Sequence, residues 1–316
     1  MKIHTQQEPL LQNRAVLPLI EVTLAVLMWG GSFVATKVAL RDLTPTSVIW
    51  LRFAMGVVIL GAAVLARRQF SLPGKRDLAY FALLGFLGIT FHQWLQSNGL
   101  QTSQANTTAW IVSTTPVFMA LLGWLFLHEK LGRLRVLGIL VAAVGVLLVV
   151  SKGNLAGMFG GSFGAPGDIL ILISAPNWAV FSVLSRQALQ RHPATRMMFY
   201  VMLLGWLFVT VLFLSQGGPQ DLANLKLDSW LGVGFLGVFC SGIAYIFWYD
   251  ALQAIPASQV GVFLYLEPLV TAVVAWVVLQ EQLVGFGMLG GAIILSGVWL
   301  VNRPEKKGAD ELKFSA

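Results

Sequence analysis

One cysteine, four histidines and a charged fraction of 11% in 316 residues leave little from which a soluble enzyme could be built. The lone Cys240 excludes an internal disulfide. His4, His92, His128 and His192 are scattered along the chain, and no zinc spacing or nucleophile elbow accompanies them. A glycine-rich stretch at 153–167 lacks the lysine-serine ending and the preceding strand of a phosphate cradle, which disfavours ATP-driven work by this chain alone. The expectation is therefore no enzyme activity, no cofactor and no metal. Soluble domains carry about a quarter charged residues, more than twice the fraction found here.

What is present is apolar sequence. Hydrophobic residues make up 57% of the chain, and the mean hydropathy is +0.76. Runs of 18 or more apolar residues follow one another, each long enough for a hydrocarbon core of roughly 30 Å. Ten spans are expected, at 18–38, 46–66, 78–98, 107–127, 134–150, 168–189, 197–215, 230–251, 258–279 and 288–301. The fold class is thus an all-α integral membrane protein. The polar stretch 1–17 has no cleavable apolar core and is expected to be a cytoplasmic tail. The net charge of +7 does not point to nucleic acid, because the basic residues are sorted by membrane side. Arg67, Arg68, Lys75 and Arg76 share a side with Lys130, Arg133 and Arg135, with Arg186, Arg191 and Arg196, and with the tail 303–316. The alternate loops hold Lys37, Arg41, Lys152 and Lys226. Excess Lys and Arg in short loops marks the cytoplasmic side, so both termini are expected inside, in the inner (plasma) membrane.

The segment 100–150 reappears, at a constant offset of 152, as 252–302. Leu100-Gln101 recurs as Leu252-Gln253, Pro116 as Pro268, Trp124 as Trp276, Glu129 as Glu281 and Gly145-Val146 as Gly297-Val298. The chain divides into a tail 1–17, a first five-helix repeat 18–150, a glycine-rich linker 151–167, a second repeat 168–302 and a basic tail 303–316. An odd number of spans per copy inverts the second copy in the membrane. The basic residues Lys130, Arg133 and Arg135 of the first copy have no basic counterpart at Gln282, Gly285 and Gly287 in the second, as inversion requires. Inverted repeats are an architecture of transporters that alternate access about a midplane site.

The segments Asp250-Ala251-Leu252-Gln253-Ala254-Ile255-Pro256-Ala257, Leu266-Glu267-Pro268-Leu269 and Leu279-Gln280-Glu281-Gln282-Leu283 resemble the EamA-type signature of the drug/metabolite transporter superfamily. Trp29-Gly30-Gly31-Ser32-Phe33 and Trp50-Leu51-Arg52-Phe53 are similar to that family's opening pattern. The likeness covers about residues 18–302. It implies ten helices with both ends cytoplasmic and the export of amino acids, other metabolites or cationic drugs. The first repeat departs from the pattern in carrying Thr115 where the second carries Glu267.

Several residues are singled out by depth. Trp29, Pro116, Asn177, Trp178, Glu267 and Pro268 fall about 9–12 residues into their spans, near mid-bilayer at roughly 1.5 Å per residue. Pro116, Pro176 and Pro268 open helix ladders that only protein or a wet cavity can satisfy. Glu267, costly at that depth, is expected to face a cavity as a proton site or ammonium binder, or else to pair with Arg52. Arg52 reads first as a structural residue that pairs with Glu267 or locks the helix interior, with snorkelling outward or binding a substrate carboxylate as the alternatives. His92 and Gln96 share a helix face that suits a hydrated lining. Tyr245, Trp248 and Tyr249 read first as an interfacial belt, and second as a stacking surface for substrate. Glu129 and Glu281 are expected to cap the last helix of each half, and Gly138/Gly145 with Gly290/Gly297 to allow close helix approach. The partners expected are a small-molecule substrate and the lipid bilayer; oligomeric state is not encoded. Amino-acid or amine export is the favoured function, with cationic drugs or other metabolites as the alternative substrates. A non-transporting structural or signalling membrane protein is the reading from another class.

Overall fold

The computed structural model describes residues 8–127, 132–154, 164–255, 257–282 and 285–302. Among these, ten helices are long and apolar enough to cross a membrane. We number them α1 (Val16–Ala39), α2 (Pro45–Ala66), α3 (Lys75–Gly99), α4 (Ala105–Phe126) and α5 (Arg133–Ser151) in the first half. The second half holds α6 (Pro166–Leu189), α7 (Ala194–Ser215), α8 (Leu227–Ala254), α9 (Val260–Leu279) and α10 (Gly285–Asn302). The expected span starts lie within three residues of these. The helix containing α1 continues back through Pro18 to Glu8, so part of the expected tail is helical. The tails 1–7 and 303–316, Glu129, Lys130 and most of the linker lie outside the described residues.

Local chemistry sets the helix starts. Proline stands at the first position of α2 and of α6, where a missing N–H costs nothing. Thr44 caps α2 by accepting from Ser47 N. Asp168, three residues into α6, accepts from Ala165 N at 2.8 Å. The loop carboxylates tie elements together. Burial would push Asp221 up, but hydrogen bonds from Ser47 and Thr44 outweigh it and hold the group below its ordinary range. The Ser229 hydroxyl does the same for Asp42.

Helix α1 lies against α8 and α9, α2 against α7 and α8, α3 against α6 and α7, α4 against α6 and α9, and α5 against α10. Exchanging each helix for the one five places along the chain leaves this set of pairs unchanged. The exchange extends to irregularities. Both α3 and α8 widen to π-helix, at Phe86–Phe91 and Phe235–Ile243. The α-helical course of α4 lapses between Val112 and Thr115, and that of α9 tightens to 3₁₀ at Phe263–Leu266, in each case just before the paired proline.

The α5–α10 contact is reciprocal in the same way. A Cβ on Gly138 would stand 2.6 Å from Gly297 O, and one on Gly297 2.6 Å from Gly138 O. Gly145 and Gly290 face each other likewise, at 2.7 and 2.9 Å. Equivalent residues exchanging partners is the signature of a two-fold contact, and glycine lets the two backbones approach this closely. Gly145→Ala is expected to lower the melting temperature of the purified protein. Gly287→Ala, with nothing within 4 Å of its Cβ, is expected to leave it unchanged. Equal tolerance of the two substitutions would contradict the tight contact.

Candidate functional site

The four interrupted helices all border one cavity. From α1 it takes Trp29, Ser32 and Phe33; from α2, Arg52; from α3, His92, Gln93 and Gln96; and from α4, Val112, Ser113, Thr115 and Pro116. From the second half come Trp178 on α6, Tyr245 and Trp248 on α8, and Leu264, Tyr265 and Glu267 on α9. Five of these pairs are repeat equivalents at the offset of 152: Gln93 with Tyr245, Gln96 with Trp248, Val112 with Leu264, Ser113 with Tyr265 and Thr115 with Glu267. The positions are shared while the chemistry differs. The first half presents amides and hydroxyls, and the second presents rings and a carboxylate.

The wide turns supply carbonyls to be satisfied. Leu87 O accepts His92 N–H across the π turn and a second hydrogen bond from Asn177 Nδ2 at 2.8 Å. Trp29 Nε1 donates to Cys240 O in the opposite π segment at 3.0 Å. A ladder interruption on each side is thus tied down by a side chain from the helix packed against it.

The rings pack in two groups. Trp29 meets Trp248 at 5.0 Å between centroids and Tyr245 edge-on at 5.6 Å. Trp178 meets His92 at 4.7 Å and Phe181 at 4.9 Å. His92 is buried, and its Nδ1 has no hydrogen-bond partner among the described residues.

Two charged groups reach the cavity, and they do not pair. Arg52 is 5% exposed. Its Nε donates to Ser241 Oγ at 3.0 Å and its Nη1 to Gln93 Oε1 at 3.1 Å, with the guanidinium over the Phe53 ring. The Glu267 carboxylate makes no hydrogen bond or ion pair among the described residues. Their places in the helices explain the separation. Arg52 lies seven residues from the start of α2, and Glu267 ten from Ala257, where the helix containing α9 begins. Those two starts lie at opposite ends of the bundle, so Arg52 sits about 10 Å from one end and Glu267 about 15 Å from the other, near the middle.

The ends of the bundle are tied separately. At one, Lys37 Nζ donates to Ser103 O at 2.6 Å, and Ser103 Oγ donates to Asp168 Oδ1. Glu281 accepts from Ala105 N at 3.0 Å and Asn106 N at 3.2 Å. At the other end Arg67 grips Asp250 with two hydrogen bonds, of 2.7 and 2.6 Å, and reaches Thr195. Those bonds raise the Arg67 guanidinium above its usual range.

The structure brings together Trp29, Arg52, His92, Pro116, Trp178, Tyr245 and Glu267. Asn177 turns instead to Leu87 and is absent from the cavity wall, as are Pro176 and Pro268. The alternative ion pair between Arg52 and Glu267 does not form, and Arg52 is buried instead of snorkelling. Tyr245 and Tyr249 are 3% and 4% exposed, which corrects their reading as an interfacial belt. Glu281 does cap a helix, but it caps α4 of the other repeat instead of α10. Ser32, Phe33, Ser113 and Tyr265 were missed. Ser113 and Tyr265 could have been found from the repeat, since each precedes a paired proline by three residues.

Comparison with known proteins agrees with the architecture. The EamA-like transporter family matches residues 17–151 and again 165–303. An uncharacterized transporter of Archaeoglobus fulgidus is 29% identical over 88% of this chain and 95% of its own length. The Bacillus subtilis uncharacterized transporter YdfC is 26% identical over 91% and 92%. A solved structure, described only as the crystal structure of a protein, aligns with a TM-score of 0.61 at 20% identity, covering 92% of this chain and 96% of its own.

Asn177→Leu removes one of the two hydrogen bonds to Leu87 O, at a cost of about 0.5–1.5 kcal/mol. The expected outcome is a lower melting temperature with unchanged ligand affinity. Weakened ligand binding at unchanged stability would return Asn177 to the cavity wall.

Proposed function

Because the chain belongs to the EamA-like transporter family, a family of multi-pass membrane transporters, we propose that it is a secondary exporter of a small organic metabolite, an amino acid or related amine. In this reading the two five-helix copies lie inverted in the cytoplasmic membrane with both termini inside. Rocking about their shared cavity then exposes the solute to one side at a time. The exchange symmetry of the helix contacts and the loss of basic residues between Glu281 and Gly287 support the inversion. The outward direction rests on family likeness.

The observation that carries the substrate class is Glu267. A carboxylate inside the bilayer costs several kcal/mol unless it faces a partner or a wet cavity. Here it faces a cavity and makes no hydrogen bond or ion pair among the described residues. Around that cavity stand Trp29, Trp178, Tyr245, Trp248 and Tyr265. Ring faces attract cations by about 0.5–2 kcal/mol each, with the larger values in dry sites. A carboxylate that shares a cavity with several aromatic rings is the chemistry that receives an ammonium group. A structural or signalling protein would gain nothing from keeping that charge uncompensated. Export of organic cations such as drugs uses the same two features and is distinguished by the solute carried.

The purified protein in sealed vesicles is expected to move labelled amino acid or amine, and Glu267→Gln to abolish the movement while still inserting and folding. Wild-type flux in the Glu267→Gln protein would remove the carboxylate from the mechanism.

A further inference from the structure

The second charge in the cavity has no role in that reading. Arg52 is buried among α2, α3 and α8, and its hydrogen-bond partners, Ser241 Oγ and Gln93 Oε1, are both neutral. Neutral acceptors orient a guanidinium; they do not cancel its charge, and an uncompensated buried cation is costly. The obvious counter-ion, Glu267, lines the same cavity and forms no ion pair with it. Two of the five N–H bonds of the fork are engaged by these acceptors. The others have no acceptor among the described residues, and the side chain borders open space. A planar fork held in fixed orientation beside a cavity is matched in shape and charge by a carboxylate.

We propose that Arg52 is the residue through which this transporter recognises a carboxylate on its solute, so that the solute is zwitterionic and a simple amine is rejected. The proposal rests on the reading of Glu267 as the ammonium partner. A zwitterion compensates both cavity charges at once. A bare amine would add a second cation beside Arg52, and a bare acid a second anion beside Glu267. Gln93 stands where the second repeat has Tyr245, so the amide that aims the fork belongs to one half alone. That asymmetry places the carboxylate end of the solute toward α2 and α3, and its amino end toward α9.

The test uses the full-length protein in detergent and three matched panels: the proteinogenic amino acids, their decarboxylated amines and their deaminated acids. Binding is read as thermal stabilisation, followed by titration of the best amino acid and its two relatives. The wild-type protein is expected to bind the amino acid at least about 10-fold tighter than its amine. Arg52→Gln is expected to bring the two within about threefold by weakening the amino acid, and Arg52→Lys to fall between. The wild-type comparison requires no variant to fold. An amine that binds wild-type protein as tightly as its amino acid overturns the proposal, as does the absence of stabilisation by every amino acid. The two readings fail separately. Amines bound as well as amino acids, with Glu267→Gln inactive, would remove Arg52 and keep Glu267. A carboxylate preference lost in Arg52→Gln, with Glu267→Gln fully active, would do the reverse.

Discussion

Lipid cannot hydrogen-bond a backbone, so a helix inside it can be interrupted only where protein or enclosed water takes over the freed groups. Four of the ten helices here are interrupted, and all four border one cavity. The breaks before Pro116 and Pro268 line it, and the π turns of α3 and α8 lie just before the residues those two helices give to its wall. Asn177 and Trp29 tie down a carbonyl in each wide turn. Each donor stabilises the wide turn it serves by the modest worth of one hydrogen bond. Trp29 therefore serves twice, as a hydrogen-bond donor to Cys240 O and as a ring in the aromatic wall.

Duplication supplied the geometry and left the chemistry free to diverge. Gln93 and Tyr245, Gln96 and Trp248, and Thr115 and Glu267 occupy equivalent places, so their backbones were positioned by the same solution to the packing problem. If the copies are inverted, as proposed, equivalent places fall at mirrored depths. The polar face of α3 then lines one half of the cavity and the aromatic face of α8 the other. Arg52 and Glu267 are not equivalents of one another: Leu204 and Thr115 stand at their counterparts, so each charge belongs to one copy alone. On the proposed reading, a pocket symmetric in backbone and polar in charge holds a solute in one orientation while the two halves move around it. The α5–α10 glycine contact, reciprocal and tight, lies on that same two-fold relation.

Length, hydropathy and charge sorting made the ten spans legible, because burying 18 or more apolar residues in a row has one cheap solution. The repeat was legible because Pro116/Pro268, Trp124/Trp276 and the paired glycines recur without a gap. Glu267 stood out by its cost alone. What the sequence left hidden was rotation: hydropathy counts residues on a membrane helix but does not say which side meets protein. Tyr245 and Tyr249 near a helix end looked interfacial, yet α8 turns both inward. Asn177 sits one residue from Trp178, and that step rotates it about 100° away from the cavity and onto Leu87. Glu281 precedes α10 in sequence, but the nearest N–H groups belong to α4 of the other copy. Contacts between copies are invisible to any argument that follows the chain in order.

The central claim is that one cavity, shared by two inverted copies, opens to each side of the membrane in turn. Ser113 lines that cavity between the two ends and can be replaced by cysteine in a Cys240→Ser background. Labelling with a membrane-impermeant maleimide, applied to right-side-out and to inverted vesicles, tests the claim directly. The account predicts that position 113 is modified from both faces, and that bound solute slows the reaction from each. Modification from one face alone, with the other silent whether solute is present or absent, would contradict it.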